Sequence, residues 1–117
     1  MIITDKSGKK LVVEIKTRNE KYENYSSFYF EKVKYDGMTK RINELGAVGG
    51  IYVCIFGTHI YFYNIKKIVE QTPITYKWLP ANSFGDGISK SKVIYDFKKD
   101  LAFNKIQLDD NNKWVKL

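Results

Sequence analysis

Residues Ile51–Phe56 read Ile-Tyr-Val-Cys-Ile-Phe, without one charged or turn-forming residue. In a strand, alternate side chains point to opposite faces, so this run offers apolar groups to both sides of a sheet. A strand of that kind belongs at the centre of a sheet that is covered on both faces. Gly57-Thr58 follows as a tight turn, and His59–Tyr63 returns as a second strand, giving a hairpin. A fold of layers around a central sheet is therefore expected, within a chain of 117 residues that is one domain by length, residues 1–117.

The N-terminal half leads up to this strand. Met1–Thr4 reads as a short strand and Asp5–Lys9 as a turn ending near Gly8. Lys10–Thr17, rich in Val and Ile, is a second strand. Residues 18–23 are polar and read as a loop. Asn24–Leu45 reads as one long helix, with Phe28, Tyr35, Met38, Ile42 and Leu45 on a stripe and Gly46 as its stop. Gly49-Gly50 reads as a turn into the central strand. Beyond it, Asn64–Gln71 is a short helix ended by Pro73, 74–79 is extended, 80–89 is a loop, and Ser91–Phe97 alternates as a strand. Residues 98–104 suggest a helical turn, and the tail from Asp109 is polar apart from Trp114. The expected class is α/β: a mixed central sheet with a crossover helix after the second strand.

The second strand carries an unusual pair. Glu14 and Lys16 stand two residues apart, so they share one face, while Leu11, Val13 and Ile15 point to the other. A solvated ion pair on an edge strand is the ordinary explanation. The context, a hairpin before and a helix after, resembles the PD-(D/E)XK nuclease superfamily, whose restriction-endonuclease-like fold places a Glu-x-Lys on a central strand. The similarity covers residues 1–56.

That resemblance implies a metal-dependent nuclease hydrolysing phosphodiester bonds in DNA, a hydrolase using Mg2+ or Mn2+. Glu14 would be a metal ligand, the carbonyl of Ile15 another, and Lys16 a catalytic group beside the scissile phosphate. Asp5, the one acidic residue upstream of Glu14, is the candidate second carboxylate, with Glu23 and Glu31 as alternatives. Otherwise Asp5 is a turn former, the common role of Asp before a Ser-Gly turn. Glu31-x-x-x-Tyr35 is similar to the Gln-x-x-x-Tyr of the superfamily's exonuclease branch, although Tyr35 also fits a core position. The alternative reading is a nucleic-acid-binding module of the same fold, lacking a complete metal site and inactive as an enzyme. A homodimer is carried only as an expectation from the resemblance.

Composition narrows the classes further. A single cysteine, Cys54, forbids an internal disulfide and fits a reducing, cytoplasmic setting. With one histidine, His59, triads and histidine-rich metal sites lack residues. The net charge is +7, spread along the chain: residues 1–45 hold ten Lys or Arg against seven Asp or Glu, and residues 46–117 hold ten against six. A polyanion partner suits that charge, and the resemblance implies that it is DNA. Arg18, Lys21 and Lys34 are the candidate nucleic-acid contacts. Aromatic residues are 15% of the chain; most are expected in the core, Trp78 and Trp114 among them. No apolar stretch is long enough for a transmembrane helix, and no signal peptide is expected.

Overall fold

A computed structural model describes residues 1–18, 27–80, 89–111 and 113–116. The order of elements is β1 (Ile2–Thr4), β2 (Lys10–Arg18), β3 (Ser27–Glu31), α1 (Lys32–Leu45), β4 (Gly49–Phe56), β5 (His59–Asn64), α2 (Ile65–Gln71), β6 (Ile74–Pro80), β7 (Ser89–Lys98), a 3-10 turn (Lys99–Leu101), β8 (Asn104–Leu108) and β9 (Trp114–Lys116). The strands form two sheets. One runs β1-β2-β4-β5-β8-β9 and the other β3-β7-β6.

The large sheet is mixed, as expected. Strands β2 and β4 pair in parallel, from Leu11 against Gly49 to Arg18 against Phe56, and the other pairs are antiparallel. Joining parallel neighbours requires a crossover, and α1 lies within it. The register fixes two faces. On the inner face stand Val12, Glu14, Lys16 and Arg18 of β2, level with Gly50, Tyr52, Cys54 and Phe56 of β4, and then Tyr63 and Tyr61 of β5. On the outer face stand Val13, Ile15, Ile51, Val53, Ile55, Ile60 and Phe62.

The second sheet and both helices pack on the inner face. Phe28 of β3 stacks on Phe56 with ring centres 4.3 Å apart, and Phe30 stacks on Tyr52 at 4.4 Å. Phe97 of β7 meets Tyr63 edge-on at 4.7 Å. Such aromatic pairs add about 0.5–1.5 kcal/mol each beyond the area they bury. Much of the aromatic content is thus spent in joining the two sheets. Met38 is the buried residue of α1, and Tyr35, Ile42 and Leu45 pack beside it against the same core. From α2 come Ile65 and Ile68. That helix is capped by Asn64, whose side chain accepts from the Lys66 N–H at 3.0 Å.

Four local readings change. Residues 27–31, expected to be helical, form β3, because Phe28 and Phe30 are buried while their neighbours are not. That is a period of two, and aromatic residues favour strands. Asn24 and Ser26, the expected helix caps, lie outside the described residues. Gly49-Gly50, expected as a turn, opens β4. A Cβ on Gly50 would stand 2.6 Å from Cδ1 of Ile65 and 3.2 Å from Cδ1 of Ile42, so the bare backbone lets these two side chains close over the strand. Finally, the C-terminal region, expected to be a helical turn and a polar tail, supplies β8 and β9. The helical turn itself shrinks to Lys99–Leu101.

Among the described residues, three turns use glycine in the left-handed region: Gly8 at φ 87°, Gly46 at φ 64° and Gly57 at φ 54°. At Gly46 the helix stops where expected, and the Ala47 N–H donates to the Ile42 carbonyl at 2.9 Å. No helix among the described residues is long and apolar enough to cross a membrane.

Candidate nucleic-acid interface

Glu14 and Lys16 share the inner face of β2, opposite Tyr52 and Cys54. They stand where the apolar core gives way to charge along the strand: Val12 is buried, and both charged residues are half-buried. From α1, Lys34 reaches across so that its Nζ lies 3.8 Å from Oε1 of Glu14. Three predicted site residues, Glu14, Lys16 and Lys34, are therefore neighbours. With Lys34 54% and Glu14 35% exposed, the ion pair is worth about 0–1 kcal/mol.

Asp5 is elsewhere. Its Oδ1 accepts from the N–H of Ser7 at 2.9 Å, the hydroxyl of Ser7 at 2.7 Å and the N–H of Lys9 at 2.9 Å. The Ser7 hydroxyl bond, then the Lys9 bond, hold the carboxyl below its ordinary pKa. Asp5 is level with Lys9 through the bond from its own N–H. Glu14 lies five residues further along the strand, about 16 Å away at ~3.3 Å per residue. Two ligands of one ion at about 2 Å each cannot be so far apart. The carboxylate that the metal reading needs beside Glu14 is therefore not Asp5 in this arrangement.

Glu31 does not complete the set. It ends β3 and pairs with Lys92 at 2.7 Å, on the side of the small sheet away from the core. It is not on α1, so the Glu31–Tyr35 helical face does not form; Tyr35 packs edge-on against Tyr95 at 5.9 Å. Glu23 and Lys21 lie outside the described residues. Among the described residues, no three His, Cys, Asp or Glu side chains gather to hold a metal ion. Ile15 pairs with Val53 in the parallel ladder. The described donors do not fit a two-carboxylate Mg2+ or Mn2+ site.

Arg18 departs most from expectation. As a nucleic-acid contact it should be at the surface, yet it is 8% exposed. Its Nη2 donates to the hydroxyl of Tyr52 at 2.8 Å and to the carbonyl of Tyr29 at 3.0 Å. The guanidinium also lies 4.2 Å from the centre of the Tyr29 ring. Arg18 shares the inner face, so its planar fork is drawn into the junction between the sheets. Burial pushes the neighbouring Cys54 thiol up to about 11 and raises the Tyr52 phenol well above its ordinary value.

A cationic site appears where no motif pointed. Tyr61, Lys98, Lys99, Asp100 and Lys105 line a pocket of about 510 Å³. Lys99 Nζ is 5.0 Å from the centre of the Tyr61 ring, and Lys105 Nζ is 5.9 Å from it. The backbone between the cations is held by the Tyr63 hydroxyl, which donates to the Lys99 carbonyl at 2.8 Å. Lys98 ends β7, Lys99 opens the 3-10 turn, and Lys105 lies on β8. These lysines converge only because β8 pairs with β5. The adjacent Lys98-Lys99 was the one signal of this site in the sequence.

Two aromatic side chains are also exposed. Tyr76 and Trp78 of β6 are each 72% exposed, so Trp78 is not the core residue expected. Trp114, at 52%, is not one either. Tyr76 and Trp78 share a strand face, with Lys77 between them pointing to the other. Comparison with protein-family models, with curated proteins and with solved structures finds no match.

Proposed function

We propose that this protein is a nucleic-acid-binding module whose phosphate contact is the pocket of Lys98, Lys99 and Lys105. The observation that carries the reading is that three lysines from three elements line one pocket, in a chain of net charge +7. Lysines gathered this way suit phosphate groups as point charges. Tyr61 is 8% exposed, so it supports the pocket's wall and leaves base stacking to other residues. Tyr76 and Trp78 suit stacking on the bases of a single strand. Trp78 pairs with Ser91, seven residues along β7 from Lys98, a separation of about 23 Å at ~3.3 Å per residue. A strand of about seven nucleotides at ~3.4 Å each covers that distance.

Fluorescence anisotropy with a labelled single-stranded DNA of about 20 nucleotides, read across a salt series, tests this. Binding should weaken steeply with salt. Lys98→Ala with Lys105→Ala should reduce the log–log slope by about 1.4, at ~0.7 per phosphate contact on a single strand. Tyr76→Ala with Trp78→Ala should weaken binding with the slope unchanged. No binding by the parent at low salt would end the proposal.

A second reading, a metal-dependent nuclease, keeps one observation in its favour. Glu14 and Lys16 lie on the face of a parallel strand pair to which the crossover helix sends Lys34. Its test is incubation of the same DNA with Mg2+ or Mn2+. Cleavage by the parent that disappears in both Glu14→Ala and Lys16→Ala supports the nuclease; binding with no cleavage under either metal supports the module.

A further inference from the structure

We infer that the pocket of Lys98, Lys99 and Lys105 selects RNA over DNA, and that Asp100 makes the choice by accepting a hydrogen bond from a ribose 2′-hydroxyl. This rests on the reading of that pocket as the phosphate contact. A site for phosphate alone has no use for an acid, because a carboxylate beside a phosphate repels it. Yet Asp100 lines the same pocket as the three lysines. It directly follows Lys98 and Lys99 in the chain, and it is exposed.

The hydrogen-bonding groups of the pocket divide in the same way. Lysine ammonium groups only donate, and an ionised carboxylate only accepts. A phosphodiester also only accepts, so it matches the lysines and not Asp100. A ribose 2′-hydroxyl can donate. It sits on the carbon next to the one that carries the 3′-phosphate, so a phosphate held by Lys98 or Lys99 brings that hydroxyl towards Asp100. A deoxyribose within a strand has no hydroxyl to offer, and towards DNA the carboxylate only repels. Size agrees with this. The pocket, about 510 Å³, lies within the ~300–1,000 Å³ of sites that take whole small molecules, so the sugar has room beside its phosphate. Among the described lining residues all but Tyr61 are charged, and Tyr61 is 8% exposed, so the polar sugar fits better than a base. Both walls are tied to β5. Tyr63, buried in the core, donates its hydroxyl proton to the Lys99 carbonyl at 2.8 Å and so fixes the turn that carries Asp100. Lys105 is level with Tyr61 in the β5–β8 ladder. The carboxylate and the lysines are thus positioned before a strand arrives, which lowers the ordering cost of discriminating between two similar ligands.

Anisotropy with three labelled strands of about 20 nucleotides tests the inference: oligouridine RNA, its deoxyuridine counterpart and its 2′-O-methyl counterpart. They share bases and phosphates and differ only at the 2′ position. The parent should bind the RNA about tenfold more tightly than the DNA, equivalent to ~1.4 kcal/mol. The 2′-O-methyl strand, whose ether cannot donate, should lose that advantage. Asp100→Ala, at an exposed turn position, should bind RNA and DNA alike, with RNA weakened and DNA strengthened. Equal binding of RNA and DNA by the parent overturns the inference and leaves the lysine pocket standing. So does an RNA preference that survives either 2′-O-methylation or Asp100→Ala. No binding of any strand at low salt ends the pocket reading itself, and the inference with it.

Discussion

The Arg18–Tyr52 contact gives the sharpest test of how the two sheets are joined. Tyr52→Phe removes one hydroxyl without changing shape. It leaves the guanidinium its bond to the Tyr29 carbonyl at 3.0 Å but takes away the one at 2.8 Å. A lost bond to a buried charged donor costs about 2 kcal/mol. Arg18→Met keeps much of the side-chain stem and removes the charge. The Tyr52 hydroxyl is then left with the Cys54 thiol and with the Tyr29 carbonyl at 3.5 Å, the latter at the limit of a hydrogen bond. That change should also cost about 2 kcal/mol. In the double variant neither polar group remains to be stranded, so the combined loss should fall about 1.5 kcal/mol short of the sum. Urea unfolding followed by circular dichroism reads this directly. With an m value of about 1.5 kcal/mol/M, each single variant should lower the midpoint by about 1.3 M. Losses that add to within about 0.3–0.5 kcal/mol would refute the contact as a coupled unit. Folded Arg18→Met should also bind single-stranded DNA as the parent does, since the guanidinium faces the protein interior; a weakened complex with an unchanged fold would return Arg18 to the nucleic-acid surface.

Three further outcomes are expected. Cys54 is fully buried, so a thiol reagent at neutral pH should label it only at the rate of unfolding, and labelling faster than unfolding by hydrogen exchange would contradict that burial. Because its folded pKa is raised to about 11 from 9.0, the unfolded thiol ionises first as pH rises; stability should be intact below pH 9 and fall by about 2–3 kcal/mol by pH 11, at ~1.36 kcal/mol per unit. The raised phenols of Tyr52 and Tyr63 act in the same direction above pH 10. Gly46→Ala, at φ 64°, should cost about 1–2 kcal/mol in urea unfolding; no change would mean that α1 ends elsewhere. Glu14→Gln should cost under about 1 kcal/mol, in keeping with a half-exposed pair at 3.8 Å. A larger loss would mean that Glu14 has partners besides Lys34.

What could be read in the sequence was local and strongly patterned. The first hairpin, the Met38 stripe of α1, the central strand, the second hairpin and the Asn64-capped helix all rest on neighbours in the chain. The errors have a common physical origin. Phe28 is spaced to join the helical stripe of Tyr35 and Met38, yet Phe28 and Phe30 are also two apart, and only β7 pairing beside them decides for a strand. Strand β8 has little pattern of its own; it exists because β5 offers an edge, from His59 against Gln107 to Phe62 against Asn104. Arg18 looked like a surface cation because nothing in its neighbourhood of the chain announces Tyr52, 34 residues later. The candidate site divides the same way. Glu14 and Lys16 on one face follow from strand periodicity, and the distance to Asp5 follows from hairpin register. The lysine pocket depends on β8 pairing with β5, which local sequence does not encode.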